Sequence, residues 1–98
     1  MVERASGTDA DGDGFSQEVI DKVWNKAVSQ GQTIRVDLYG NTISYDQYGM
    51  RSEYGWEIDH KHPVADGGTD TLRNLQPLHW RENRIKGDQY PYRKMKKY

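Results

Sequence analysis

The segment from Trp56 to Lys86 decides most of what this chain can fold into. Trp56-Glu57-Ile58-Asp59-His60 opens as a short strand over 56–58 and ends on an acid and a histidine. Asp66-Gly67-Gly68 marks a turn, Asn74-Leu75 follows, and Gln76 to Leu78 reads as a strand pairing back. His79 or Trp80 to Lys86 then reads as a helix that Gly87 stops. Strand, loop, strand and helix in this order return two asparagines and a lysine to the acid–histidine pair.

The remainder of the chain must brace that segment. With 98 residues, 34% hydrophobic and 30% charged, there is room for one domain with a modest core. Seven Tyr and three Trp carry much of the burial, because Phe occurs once. Residues 1–14 are Gly- and Asp-rich and are expected to form a flexible leader. Within them, Asp9 to Gly14 imitates the start of an EF-hand loop. The twelfth position counted from Asp9 is Ile20, where calcium needs a bidentate Glu, so calcium is not expected. Phe15 to Gln30 reads as a helix with Ser16 as N-cap, an apolar stripe of Val19, Ile20, Val23, Trp24, Ala27 and Val28, and Gly31 as stop. Thr33 to Leu38 and Thr42 to Tyr45 read as a hairpin around Tyr39-Gly40-Asn41. Residues 46–55 read as loop.

Composition removes several function classes. Without cysteine there is neither a disulfide nor a thiolate zinc site. No run approaches the ~18 apolar residues of a membrane span, and no signal-like segment follows Met1. The expectation is a soluble, cytoplasmic protein with no membrane partner. The net charge of −1 conceals an asymmetry. Residues 1–72 hold 6 Lys and Arg against 13 Asp and Glu, and residues 73–98 hold 8 against 2, giving −7 and +6. A basic back end on an acidic front points to a polyanionic partner.

The chemistry this pattern supports is phosphodiester hydrolysis, which needs a base for water and a cation for phosphoryl charge. Imidazole is the side chain that titrates near neutrality, so His60 is the natural base. On a strand the adjacent Asp59 faces the other way, and one residue can hold a metal while the other meets a water. Asn83, on the final helix, offers a hard amide oxygen as second ligand, leaving a Mg²⁺-type ion room for waters and phosphate. Asn74 is expected to fix the loop and orient His60.

Together Asp59-His60, Pro63, Gly67-Gly68, Asn74-Leu75 and Asn83-x-x-Lys86 resemble the HNH endonucleases of the ββα-metal fold, over about residues 56–88. The resemblance implies a strand ending in the acid and base, a loop, a second strand and a helix; with the residues read above, the expectation is an α+β domain spanning 15–88, its N-terminal helix and hairpin packed on the ββα-metal motif, and a basic tail over 89–98. It implies DNA cleavage to 5′-phosphate and 3′-hydroxyl ends with one divalent ion. Asp59 and Asn83 become the metal ligands, His60 the base, Asn74 the orienting residue, and Lys86 a contact to substrate phosphate. Arg84, Arg81 and His79 are further candidates for phosphate. Many members have His where this chain has Asn83, which moves the expected ion from Zn²⁺ or Ni²⁺ towards Mg²⁺ or Mn²⁺. Many also carry two Cys-x-x-Cys pairs, and this chain has none.

Plainer readings stand beside these. His79 can cap the turn before the helix. Glu57 reads as a solvated strand residue, and Trp24, Trp56 and Trp80 as core. A binding module of the same fold without turnover, an RNase or toxin domain with an immunity partner, and dependence on a homodimer or partner protein all remain compatible with the sequence.

Overall fold

The computed structural model describes residues 7–31 and 33–93. Lys94, Lys96 and Lys97 of the expected basic tail lie outside the described residues. The order of elements is α1 (Gln17–Trp24), β1 (Val28–Ser29), β2 (Ile34–Val36), β3 (Thr42–Ser44), β4 (Trp56–His60), β5 (Leu75–His79) and α2 (Trp80–Lys86), with 3-10 turns at Tyr45–Gln47, Val64–Asp66 and Leu72–Asn74. This is an α+β fold with two antiparallel sheets, β1-β2-β3 and β4-β5.

Ser16 caps α1 as expected, its side chain accepting from the Val19 N–H. The helix ends at Trp24, six residues before the expected Gln30. After Trp24 the chain tightens through Lys26 N–H to Val23 O and Ala27 N–H to Trp24 O, and then Val28 and Ser29 pair with Val36 and Arg35. Val28 is therefore 57% exposed, outside the core. A third strand for the sheet outweighs two more positions of a helical stripe, because ladder bonds satisfy backbone groups that an exposed helix end leaves to water.

The core gathers Ile20, Val23, Trp24 and Ala27 against Ile43, Trp56, Ile58 and Leu75. Trp24 and Trp56 meet at 5.1 Å between ring centroids, with Tyr45 and Tyr48 against them. Trp56 and Ile58 thus fix which face of β4 looks towards α1, and alternation sends Glu57 and Asp59 to the other face, where α2 packs. Lys26 reinforces the arrangement by donating from the end of α1 to Leu75 O at 2.7 Å and to Leu72 O.

The described part of the leader packs on this frame. Asp9 Oδ1 accepts from the Asp11 and Asp13 N–H groups, closing a tight loop. The Ala10 N–H donates to Asp70 at 3.0 and 3.1 Å, and the backbone of Gly7 lies against Glu57. Those bonds anchor a segment whose composition alone suggests a free tail. At the other end, Tyr90 stacks on His62 at 4.4 Å and Tyr92 donates to Glu82. No helix among the described residues is long and apolar enough to cross a membrane.

Candidate active site

β4 and β5 form the ribbon that carries the site. Their register pairs Trp56 with His79 at one end and His60 with Leu75 at the other, with Asp59 opposite Gln76. The connecting loop is shaped by two glycines with different tasks. Gly67 adopts a φ of +95°, which other residues reach only with strain, and a Cβ on Gly68 would stand 1.7 Å from His62 O. Asn74 latches this loop: its Oδ1 accepts from the His62 N–H at 2.8 Å, and its Nδ2 donates to His62 O and Thr69 O. It braces the residues beside His60 through backbone, without touching the imidazole.

His60 lies on the α1 face, 3% exposed, with Phe15 at 6.0 Å between rings. Its Nε2 meets Asp70 Oδ1 at 2.7 Å. Sequence reading passed over Asp70. The signal available was a lone carboxylate directly before the turn into Asn74, in a loop obliged to return to His60. Asp70 is itself held by the Ala10 N–H, so leader, loop and imidazole form one chain of hydrogen bonds.

Asp59 lies on the α2 face, 7% exposed. Gln76 Nε2 donates to its Oδ2 at 2.8 Å, and Lys86 Nζ stands 3.3 Å from its Oδ1. Burial pushes its carboxyl above the usual range, with Gln76 and Lys86 pulling the other way. The expected divergence of Asp59 and His60 is thus present, one on each face of the strand end.

Asn83 is half-buried on α2, and its Nδ2 donates to Glu57 Oε1 at 2.8 Å. Glu57, expected to be solvated, is buried and takes a two-pronged grip from Arg84 at 2.8 and 3.0 Å. The carboxylate escapes water because a guanidinium and an amide satisfy it.

Three of the residues expected to meet phosphate have partners within the fold. Lys86 is 1% exposed and spends its ammonium on Asp59 and on His60 O, so it is an internal cation and not a surface one. Arg84 is committed to Glu57. His79 is buried as the cap of α2, with Nδ1 accepting from the Arg81 N–H and Nε2 bonded to Glu53 O at 2.7 Å, which fixes it as the neutral Nε2–H form. Arg81 remains exposed, its guanidinium 5.2 Å from the Trp80 ring. It lines an open groove of about 340 Å³ with Gly40, Thr42, Tyr54 and His79. That groove is at the Trp56 end of the ribbon, four residues or about 13 Å along β4 from His60.

Among the described residues no group of three or more His, Cys, Asp or Glu side chains is placed to hold a metal ion. A Mg²⁺-type ion asks for only one or two protein oxygens beside waters and substrate. The Asp59 carboxylate and the Asn83 amide oxygen meet that demand in kind, and each Asp59 oxygen retains a second lone pair beyond its present partner.

The family model described as HNH endonuclease matches residues 46–89, which takes in β4, the loop, β5 and α2. No curated protein and no solved structure matches the chain. The family match bears out the resemblance carried by Asp59-His60, Gly67-Gly68, Asn74-Leu75 and Asn83-x-x-Lys86, and with it a nuclease-related, nucleic-acid-directed function.

Proposed function

We propose that this HNH-family chain is a divalent-metal-dependent endonuclease that hydrolyses DNA phosphodiester bonds to 5′-phosphate and 3′-hydroxyl ends. The observation that carries the reading is the end of β4, where His60 and Asp59 diverge and His60 Nε2 is held at 2.7 Å by Asp70. A carboxylate on one ring nitrogen orients the imidazole and supports the cation formed when Nδ1 takes a proton from water. Asp70 is therefore a positioning residue and His60 the general base. Asp59 and Asn83 hold the ion, Mg²⁺ or Mn²⁺, which supplies neutralisation of charge on the phosphoryl oxygens when bound. Asn74 keeps the loop that carries Asp70 closed over His60. Arg81 and the basic C-terminal residues remain to meet the phosphate backbone. One domain with one such site nicks a single strand, and paired cuts need a second copy or a partner protein.

One observation favours a second reading, a nucleic-acid-binding module without turnover. Lys86 and Asp70 already partner Asp59 and His60. A supercoiled-plasmid assay with Mg²⁺, Mn²⁺, Zn²⁺ or EDTA, run beside His60→Ala, separates the two. Nicking that requires Mg²⁺ or Mn²⁺ and vanishes in His60→Ala is the expected result. Binding without nicking in any ion, or equal nicking by the variant, rules out the enzyme.

A further inference from the structure

We infer that Glu57 is a positioning residue that selects which end of the Asn83 amide faces the divalent ion, an inference that rests on the metal-site reading above. The argument begins with what each group can do. A primary amide ligates a hard cation only through oxygen, since its nitrogen carries two protons and no available lone pair. The amide can rotate by half a turn at little intrinsic energy, so something must hold it. Glu57 Oε1 accepts from Asn83 Nδ2 at 2.8 Å, and a carboxylate can only accept. With Nδ2 drawn to Glu57, Oδ1 is left on the opposite side of the amide as the ligand atom.

Glu57 is built for this task. It precedes Asp59 by two residues on β4 and shares its face, so one strand carries both the carboxylate for the ion and the carboxylate for its second ligand. Arg84 Nη1 and Nη2 grip Glu57 Oε1 and Oε2 at 2.8 and 3.0 Å, which fixes the plane of the group. The backbone of Gly7 covers it, and Glu57 is 8% exposed. Glu57 acts through Asn83 and does not itself touch the ion.

Two variants at Glu57 give a signed test. Asn83 Nδ2 and Arg84 Nη1 donate to the same Glu57 oxygen, Oε1, so in Glu57→Gln one amide oxygen at that place still accepts from both and only the Arg84 Nη2 bond is given up. Glu57→Leu leaves Asn83 Nδ2 without that acceptor and frees the amide to turn. Mn²⁺ binding to the full chain is followed by calorimetry, with melting curves to verify folding. Glu57→Leu is expected to weaken Mn²⁺ binding about 10–100-fold, close to the loss in Asn83→Ala, and Glu57→Gln to stay near the parent. Unchanged Mn²⁺ affinity in Glu57→Leu beside a weakened Asn83→Ala overturns the role of Glu57 and leaves Asn83 as a ligand. Equal loss in Glu57→Gln and Glu57→Leu also overturns it, because the charge of residue 57 and not its grip on the amide then sets the affinity. Unchanged affinity in Asn83→Ala removes the metal-site reading itself, and the inference with it.

Discussion

Lys86 sets its ammonium 3.3 Å from Asp59 Oδ1 while both side chains are withdrawn from water. The pair joins the last turn of α2 to the end of β4, and Lys86 also donates to His60 O. A buried pair gains little net stability, yet breaking it strands a charge, which costs about 3–5 kcal/mol. Asp59→Asn and Lys86→Met are each expected to lower urea stability by amounts of that order. The double variant should recover most of the loss. Single variants within about 1 kcal/mol of the parent, as a surface pair gives, contradict the buried pairing.

Acid should expose a different carboxylate. Tyr45 Oη donates to Asp21 Oδ1 at 2.5 Å and Gln17 Nε2 donates at 2.9 Å. The Tyr45 bond, then the Gln17 bond, holds the Asp21 carboxyl below its usual 3.8. A carboxyl depressed in the folded state contributes stability that is present above 3.8 and disappears as the pH falls through the folded value. The difference in Tm between the parent and Tyr45→Phe should therefore be full at pH 6 and close below pH 3.8. A difference constant down to pH 2 contradicts the assignment.

The loop between β4 and β5 should be the sensitive part of the frame. Asn74→Ala removes three hydrogen bonds and is expected to cost about 1–3 kcal/mol, while Asn74→Asp keeps the bond from His62 N–H and should fall between. At the glycines the two variants should differ in kind. Gly67→Ala must hold a left-handed φ, costing about 1–2 kcal/mol. Gly68→Ala drives a Cβ into His62 O and must open the turn, so it should be the worse of the two in urea melts. The reverse order contradicts this loop geometry.

The motif was legible in the sequence because its spacing is set by backbone geometry. A strand end, a glycine turn and a helix stop each have a residue signature, and β4, β5 and α2 appear where Asp59-His60, Asn74-Leu75 and Gly87 place them. What was not legible is pairing between distant side chains. Glu57 on a short strand looks solvated until Arg84 and Asn83 arrive from 27 and 26 residues away. Lys86 looks like a surface cation until α2 folds it inward. Asp70 joins His60 only when the loop closes, and the leader looks free until Ala10 finds Asp70. The early end of α1 has the same origin: the strand β2 that claims Val28 is contributed by residues further along the chain.

Asp70 supplies the most direct test of the proposed catalysis. Its carboxylate can only accept, so it requires a proton on His60 Nε2 and leaves Nδ1 to act as base. In Asp70→Asn the amide can donate to Nε2 instead, which stabilises the tautomer with its proton on Nδ1 and removes the base. The amide oxygen can still receive the Ala10 N–H, so the leader need not detach. Plasmid nicking by Asp70→Asn in saturating Mg²⁺ is expected to fall about 10²–10⁴-fold, the range for loss of general-base action. Mn²⁺ affinity measured by calorimetry should stay at the parent value, because Asp70 is not among the proposed ligands. Nicking at the parent rate removes Asp70 from the mechanism, and a parallel loss of Mn²⁺ affinity moves it to the metal site.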